Sequence, residues 1–339
     1  MKPLSGAAIF LILHTSLCIP NLSAEAREAA AQQLSQAAWT SAHVQHVYGF
    51  PDAKPNKKGT LTLGADTLTF SSKSGTTSIP RSLLTAASAG NQRVEIWGVG
   101  GRILRMTIPD GGGLAAAAFM HHRVDMLTVE FKDAHGGAHS AVFVLPAKQA
   151  EIALSGFALP ATRAAASFPS QQPPSQKSAL SLVASETSCG TSVERNSVLI
   201  SEPDWGRAEV PAAYRALVYE HIVDRFRKTK DVGRVYRDGE QGAGCPQYIV
   251  HISVMAFKQG SSVKRAALGP IGFFVGTTQM KFDATFTRAT GSVIGTEQIK
   301  ATIRGESEST NVADHLAKSL AKRYTAAVER SWKLTEAKS

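Results

Sequence analysis

Three residues near one turn carry the side chains best suited to chemistry. Asp133, His135 and His139 lie in one short stretch, and imidazole and carboxylate groups are common ligands of transition-metal ions. Together they could form a surface metal site and make the protein a metal-dependent hydrolase. A solvated, glycine-bearing turn between two strands accounts for the same residues. The sequence leaves both interpretations open, and no metal is assigned to them.

Other motifs of enzymes are missing from the sequence. No serine lies in a G-x-S-x-G nucleophile elbow. The glycines of 98–101 precede a predicted strand rather than a helix, unlike a dinucleotide-binding loop, and those of 111–113 lack the Lys-Ser/Thr of a phosphate-binding loop. The adjacent His121 and His122 would point in different directions on a strand or a helix. We therefore expect a non-enzymatic protein without a cofactor.

The first 26 residues have the pattern of an export signal. Lys2 is followed by an apolar stretch from Leu4 to Ile19 and then by Ala24-Glu25-Ala26, which matches the charged region, apolar core and small-residue cleavage site of a secretory signal peptide. Cleavage after Ala26 would leave Cys189 and Cys245 as the remaining cysteines. In an oxidising compartment the simplest expectation is a disulfide between them. Two buried thiols are the alternative.

Two further segments could meet a partner or a membrane. The formal net charge is +10, and a group of basic residues follows the helix predicted for 211–228. Its members are Arg225, Arg227, Lys228, Lys230, Arg234 and Arg237. On an exported protein such a group favours an anionic envelope surface over nucleic acid. Phe273 and Phe274, in the apolar segment 269–276, could contact lipid or a partner, or could belong to a buried strand.

Alternating apolar and polar residues predict short strands over the first half of the mature chain. Gly59–Leu63 and Leu68–Phe70 read as a hairpin, Ile79-Pro80 as a brief extended piece, and Ala147–Phe157 as a closing helix. This order resembles the pleckstrin-homology-like superfold, including its GRAM-type variants. The resemblance implies a β-barrel or sandwich with a closing helix over 45–158, preceded by an N-terminal arm over 27–44.

The second half follows a Pro/Ser/Gln-rich linker, which we place at 159–187. A strand at 198–200, a helix ending near Phe226, several alternating strands and a last helix from about Asn311 predict an α+β domain over 188–333, with a tail at 334–339. This half resembles bacterial envelope families related to the curli-secretion lipoprotein and to the amino-terminal α/β fold of TolB. In such families the module is a binding or assembly unit.

The sequence thus predicts an exported bacterial α+β protein of the periplasm or outer membrane. We expect a non-enzymatic binding or scaffold role, with an envelope protein or an anionic membrane surface as partner and no nucleic acid. The alternatives are the metal-dependent hydrolase and a peripheral lipid-binding protein. The sequence does not determine the oligomeric state.

Overall fold

The computed structural model describes residues 39–95, 121–146, 148–157, 193–240, 244–258, 278–303 and 308–336. The predicted signal, the predicted linker at 159–187 and the segment 269–276 lie outside these ranges, so their predicted roles stay predictions. From Ala38 onward the chain belongs to one compact unit. Within the described part, no helix is long and apolar enough to cross a membrane.

The first half forms a seven-stranded sheet in the order β4-β3-β2-β1-β7-β6-β5. All six neighbouring pairs are antiparallel. The strands are β1 (Trp39–Tyr48), β2 (Lys57–Leu63), β3 (Thr67–Ser72), β4 (Gly75–Pro80), β5 (Leu84–Glu95), β6 (His121–Lys132) and β7 (Ala138–Leu145). A short 3-10 turn at Arg81–Leu83 joins β4 to β5, and helix α1 (Gln149–Phe157) follows β7.

The sequence predicted a barrel or a sandwich, and the closed barrel is wrong for the described residues. A barrel closes only when its first and last strands pair, and here β4 and β5 are the two unpaired edges of the sheet. The middle of the sheet is buried on both faces without closing, because helices cover it there. Ala141, Phe143 and Leu145 of β7 lie in the core that contains Phe157 of α1, whereas Val142 lies in the second core.

The predicted N-terminal arm also differs from the structure, since residues 39–44 belong to β1. This strand lies in the middle of the sheet, between β2 and β7, and Trp39 and Val44 are buried. His43 has a positive φ of 60°, and the pairing with β2 shifts between Ser41 and Val44. Such a bulge breaks the alternation by which a strand is recognised in a sequence.

The core of the first sheet contains a buried neutral histidine. His46 is packed among the rings of Phe50, Phe70 and Phe143. The Phe50 N–H donates to Nε2 over 3.0 Å, so the proton is on Nδ1, which donates to the Lys54 carbonyl over 3.2 Å. Burial lowers the pKa of His46 below its ordinary value of 6.5, because the charged form would lose its hydration.

The second half forms a five-stranded sheet with two helices, which confirms the predicted α+β class. Its order is β12-β11-β10-β8-β9; β8 pairs in parallel with β9 and β10, and the other pairs are antiparallel. The elements are β8 (Val193–Ile200), α2 (Ala212–Arg227), β9 (Arg234–Arg237), β10 (Cys245–Lys258), β11 (Thr278–Arg288), β12 (Val293–Ile303) and α3 (Glu308–Glu336).

Helix α2 is the element shared by the two halves. It connects the parallel strands β8 and β9 and packs against α3, but it also contacts β6 and β7 of the first sheet. Leu217, Val218 and Ile222 therefore lie in one core with Met126 of β6 and Val142 of β7. Because neighbours surround the helix, even Glu220 is buried.

A buried ion pair holds β7, α2 and β9 together. Arg237 of β9 and Glu220 of α2 are 2% and 3% exposed, and two N–H groups of the guanidinium donate to the two carboxylate oxygens over 2.9 and 2.7 Å. Glu220 also accepts from the Ser140 N–H over 2.9 Å, and Arg237 donates to the Ala138 carbonyl over 2.8 Å. The pair therefore links the two sheets through both side chains.

We expect removal of either partner to destabilise the protein strongly. Glu220→Leu or Arg237→Met should each lower the free energy of unfolding by about 3–5 kcal/mol, because each leaves an uncompensated buried charge. The double variant should lose much less free energy of unfolding than the two single variants lose together. Urea denaturation of the four proteins measures this coupling.

The exposed pair Lys318–Asp314 is the matched control, since its atoms are 2.6 Å apart but both side chains are about half exposed. Removing it in the same way should give a coupling of about 0.3–0.5 kcal/mol. Equal coupling in the two pairs would contradict the role given to Glu220 and Arg237.

Candidate binding site

The loop after β8 positions a small cleft. The Ser201 N–H donates to the Val250 carbonyl and the Asp204 N–H to the Ile252 carbonyl, over 3.1 and 2.8 Å, so the loop continues beside β10 after β8 has ended. The Asp204 carboxylate accepts from the Gly206 N–H over 2.9 Å and tightens the turn that follows. The loop lies at the carboxyl end of a parallel strand, where α/β sheets bind ligands.

We call this pocket the β8 cleft. It has a volume of about 110 Å³ and lies between the loop, the first turns of α2, and strands β6 and β7. Its lining residues are Glu130, Ser140, Glu202, Pro203, Trp205, Arg215, Ala216 and Tyr219. The volume suits one small polar group rather than a drug-sized molecule.

Two carboxyl groups in the β8 cleft have raised pKa values. Burial raises the pKa of Glu130, although the nearby Arg215 guanidinium opposes the shift. Loss of hydration and the negative charges of Glu130 and Asp238 raise the pKa of Glu202, again against Arg215. Acids with pKa values perturbed by burial and by neighbouring charges are typical of functional sites. For both glutamates the effect of burial exceeds the opposing effect of Arg215.

Arg215, one of the residues that line the β8 cleft, has a hydrogen-bond donor without a partner. Its Nε is buried and has no hydrogen-bond partner among the described residues. A buried N–H without an acceptor costs about 1–3 kcal/mol. Arg237 Nε is buried without a partner in the same way. The β8 cleft thus combines one cation, Arg215, with two carboxyl groups of raised pKa.

Other polar groups near the β8 cleft are already engaged. The Tyr219 hydroxyl donates to the Ile200 carbonyl and accepts from the Asp238 N–H, over 3.3 and 3.1 Å. The Asp238 carboxylate accepts from the Glu202 N–H over 2.9 Å. These bonds fix the end of β9 against the loop after β8. They hold the lining groups without using Arg215 Nε.

The candidate metal ligands lie in a turn that they stabilise. One oxygen of Asp133 accepts from the N–H groups of His135 and Gly137, and the other is 3.2 Å from His139 Nε2. These contacts lower the pKa of Asp133 against the opposing effect of burial. His139 also stacks on Phe131. In the part of the chain that the structure describes, no group of three such residues is placed to hold a metal ion.

The predicted basic group divides into an exposed part and one buried member. Five members are exposed at the end of α2, in the following loop and at the start of β9: Arg225, Arg227, Lys228, Lys230 and Arg234. Arg237 is not exposed with them, because it pairs with Glu220.

Several of the other predicted site residues lie outside the described part of the chain. Phe273 and Phe274 lie outside the described residues. Cys245 begins β10, but Cys189 also lies outside the described residues, so the predicted disulfide stays a prediction. His121 and His122 are the first residues of β6.

The sequence reasoning missed the residues of the β8 cleft. Glu130 lies on the face of β6 that also carries Met126 and the buried Thr128. A polar residue at an inward position is a useful signal, but α2 covers this face only in the folded protein. The sequence after β8 predicts a loop, which contains Glu202 and Trp205, and then a helix, which contains Arg215. It does not show that β6 lies opposite them.

Comparison with known proteins gives distant structural similarity. No protein-family profile matches the chain, and no curated protein matches it. A Xanthomonas campestris protein of the DUF330 family has 9% identity over 40% of this chain and 88% of its own, with a TM-score of 0.31. The PelC dodecamer from Paraburkholderia phytofirmans has 16% identity over 38% of this chain and 87% of its own, with a TM-score of 0.28. We transfer no function from similarity at this level.

Removing the guanidinium from the β8 cleft should raise both carboxyl pKa values further. In Arg215→Met the pKa of Glu130 and that of Glu202 should each increase, because Arg215 lowers both. Carboxyl carbon NMR titration measures the change. Arg323→Met is the control, since Arg323 pairs with Glu297. Unchanged Glu130 and Glu202 titrations in Arg215→Met would contradict the electrostatics described for the cleft.

Proposed function

We propose that this protein is exported to the bacterial cell envelope and acts there as a non-enzymatic binding protein, with the β8 cleft as its ligand site. The observation that carries the proposal is a cleft lined by Arg215 and by two carboxyl groups of raised pKa, Glu130 and Glu202. Carboxyl groups of raised pKa that line a cleft together with a cation are typical of functional sites.

The export part of the proposal is supported by the sequence. Residues 1–26 match a secretory signal, and a Cys189–Cys245 disulfide would suit an oxidising compartment. A bridge over this separation would stabilise the protein by about 4 kcal/mol in the chain-entropy description.

Expression of the precursor in a Gram-negative host tests the proposal. We expect a processed species that lacks residues 1–26 and fractionates with the periplasm or the outer membrane. A photo-crosslinking amino acid in place of Trp205 should then capture one discrete envelope component, because this side chain lines the β8 cleft.

The same crosslinker in place of Ile152 is the control, since this side chain is 52% exposed on α1 and does not line the cleft. An unprocessed cytoplasmic protein would overturn the export part of the proposal. Identical capture at the two positions would overturn the assignment of the cleft as the binding site.

A second candidate function, peripheral binding to anionic lipid, is supported by the exposed basic group. Arg227 lies 3.7 Å from Asp224, and Arg234 lies 3.5 Å from Glu240. Arg225, Lys228 and Lys230 form no ion pair with any residue that the structure describes. These three charges remain available to lipid headgroups, each contributing about 1 kcal/mol near an anionic surface.

Liposome flotation tests this second candidate. Changing Arg225, Lys228 and Lys230 to glutamate should weaken binding to vesicles that contain phosphatidylglycerol by about 100-fold or more, since at least about 3 kcal/mol is lost. High salt should weaken the unchanged protein in the same way.

The matched control changes three lysines elsewhere on the surface, Lys300, Lys322 and Lys333, which are also exposed. It has the same net charge as the test variant. An equal loss of flotation in both variants would show a general charge effect and would contradict a role for the α2 basic group.

A further inference from the structure

We propose that strand β12 forms the interface of a homodimer, in which the β12 strands of two copies pair antiparallel about a two-fold axis and join the two five-stranded sheets into one. The inference goes beyond the proposed binding function, because β12 does not line the β8 cleft. The partner that it assigns is a second copy of this chain.

The interface begins with a long sheet edge that no other strand of the described chain covers. β12 has eleven residues, pairs with β11 from its first residue to its last, and is the outermost strand of its sheet. The backbone groups on its other side therefore have no strand partner among the described residues. The opposite edge of the same sheet, β9, has only four residues, and a very short edge strand resists pairing with another chain.

The features that protect an edge strand from pairing are weak in β12. It contains no proline, and its one lysine, Lys300, is exposed on the solvent face. Glu297, on the face covered by α3, already forms ion pairs with Arg323 and Arg330, each over 3.0 Å. The apolar Val293 is 61% exposed. An edge with these features is open to a further strand.

The register of such a pair follows from the regular part of β12. Its pairing with β11 shifts near Val293 and is regular from Gly295 to Ile303. The middle residue of this stretch is Ile299, which is buried on the face covered by α3. Two β12 strands centred on Ile299 therefore pair along the whole regular stretch, with an apolar residue of each copy at the two-fold axis.

The two faces of the joined sheet match in this register. The exposed polar residues of β12 lie on one face and are Thr296, Gln298, Lys300 and Thr302. Ile299 and Ala301, on the other face, are buried. Residues directly opposite each other in an antiparallel pair lie on the same face, and residues opposite each other about Ile299 are an even number of positions apart. Buried positions therefore meet buried positions, and helix α3 of each copy lies on the same side.

The charges of β12 favour its own copy as the partner strand. About Ile299, Lys300 lies opposite the partner's Gln298, and Glu297 lies opposite the partner's Ala301. Like charges directly opposite each other destabilise a pair of strands, and none meet here, since neither charged residue lies on the axis. The strand is thus complementary to itself, as a two-fold interface requires.

Charged substitutions across the axis test the proposal, because Thr296 lies opposite Thr302 of the partner subunit. Sedimentation of the purified full chain over a concentration series should show a monomer–dimer equilibrium. Thr296→Lys with Thr302→Lys should weaken the dimer at least about tenfold, since like charges then lie opposite each other. Thr296→Glu with Thr302→Glu should weaken it in the same way. An equimolar mixture of the two variants should restore dimers, because the opposed charges then attract.

The matched control uses Thr76 and Ser78. Both are exposed on β4, an edge strand of the first sheet, so Thr76→Lys with Ser78→Lys makes the same change of charge on another edge. This variant should keep the dimer dissociation constant of the unchanged protein. Thermal unfolding of each variant checks that it is folded.

Three results would overturn the inference: a monomer throughout the concentration series, equal weakening by the β12 and β4 lysine variants, or no recovery of dimers in the mixture. A monomer would leave the β12 edge to a strand of another protein. None of these results bears on the β8 cleft, which export and crosslinking at Trp205 test.

Discussion

The ion pair between Arg237 and Glu220 is the constraint on which the arrangement of the two sheets depends. Burying two charges costs several kcal/mol for each ion unless they pair closely and their remaining hydrogen-bonding groups find partners. Here those partners are backbone groups of β7, at Ala138 and Ser140. The carboxylate and the terminal guanidinium nitrogens therefore have all these partners only when β7 lies against α2 and β9. The two buried charges are therefore compensated only in this orientation of the first sheet.

The same contact explains why a cleft exists. Next to the ion pair, the Ala138 N–H donates to the Asp238 carbonyl over 2.9 Å. The Asp238 carboxylate in turn accepts from the Glu202 N–H. Glu130, on the neighbouring strand β6, is thereby brought opposite the loop after β8. The carboxyl groups of the β8 cleft are thus positioned by the elements that the ion pair connects. Arg215, one turn from Tyr219 on α2, completes the cleft.

Local patterns in the sequence predicted many of the elements correctly. The hairpin of β2 and β3, the turn around Asp133 and helix α2 were expected close to their observed positions, because alternation, glycine-bearing turns and a proline before a helix act over a few residues. The last helix was placed at Asn311 and begins at Glu308. The start of β1 was missed because its bulge near His43 interrupts the alternation.

What the sequence by itself determined is the α+β class, the alternating strands and the turn chemistry, together with the prediction of export. Only the tertiary structure decided that β4 and β5 remain edges, that α2 is buried on more than one side, and that Arg237 turns away from the exposed basic group. The β8 cleft also exists only in the tertiary structure. Its residues come from β6, β7, the loop after β8, and α2. Periodicity reports which residues avoid water within one element, but it carries no information about which polar residue of a distant element will lie opposite.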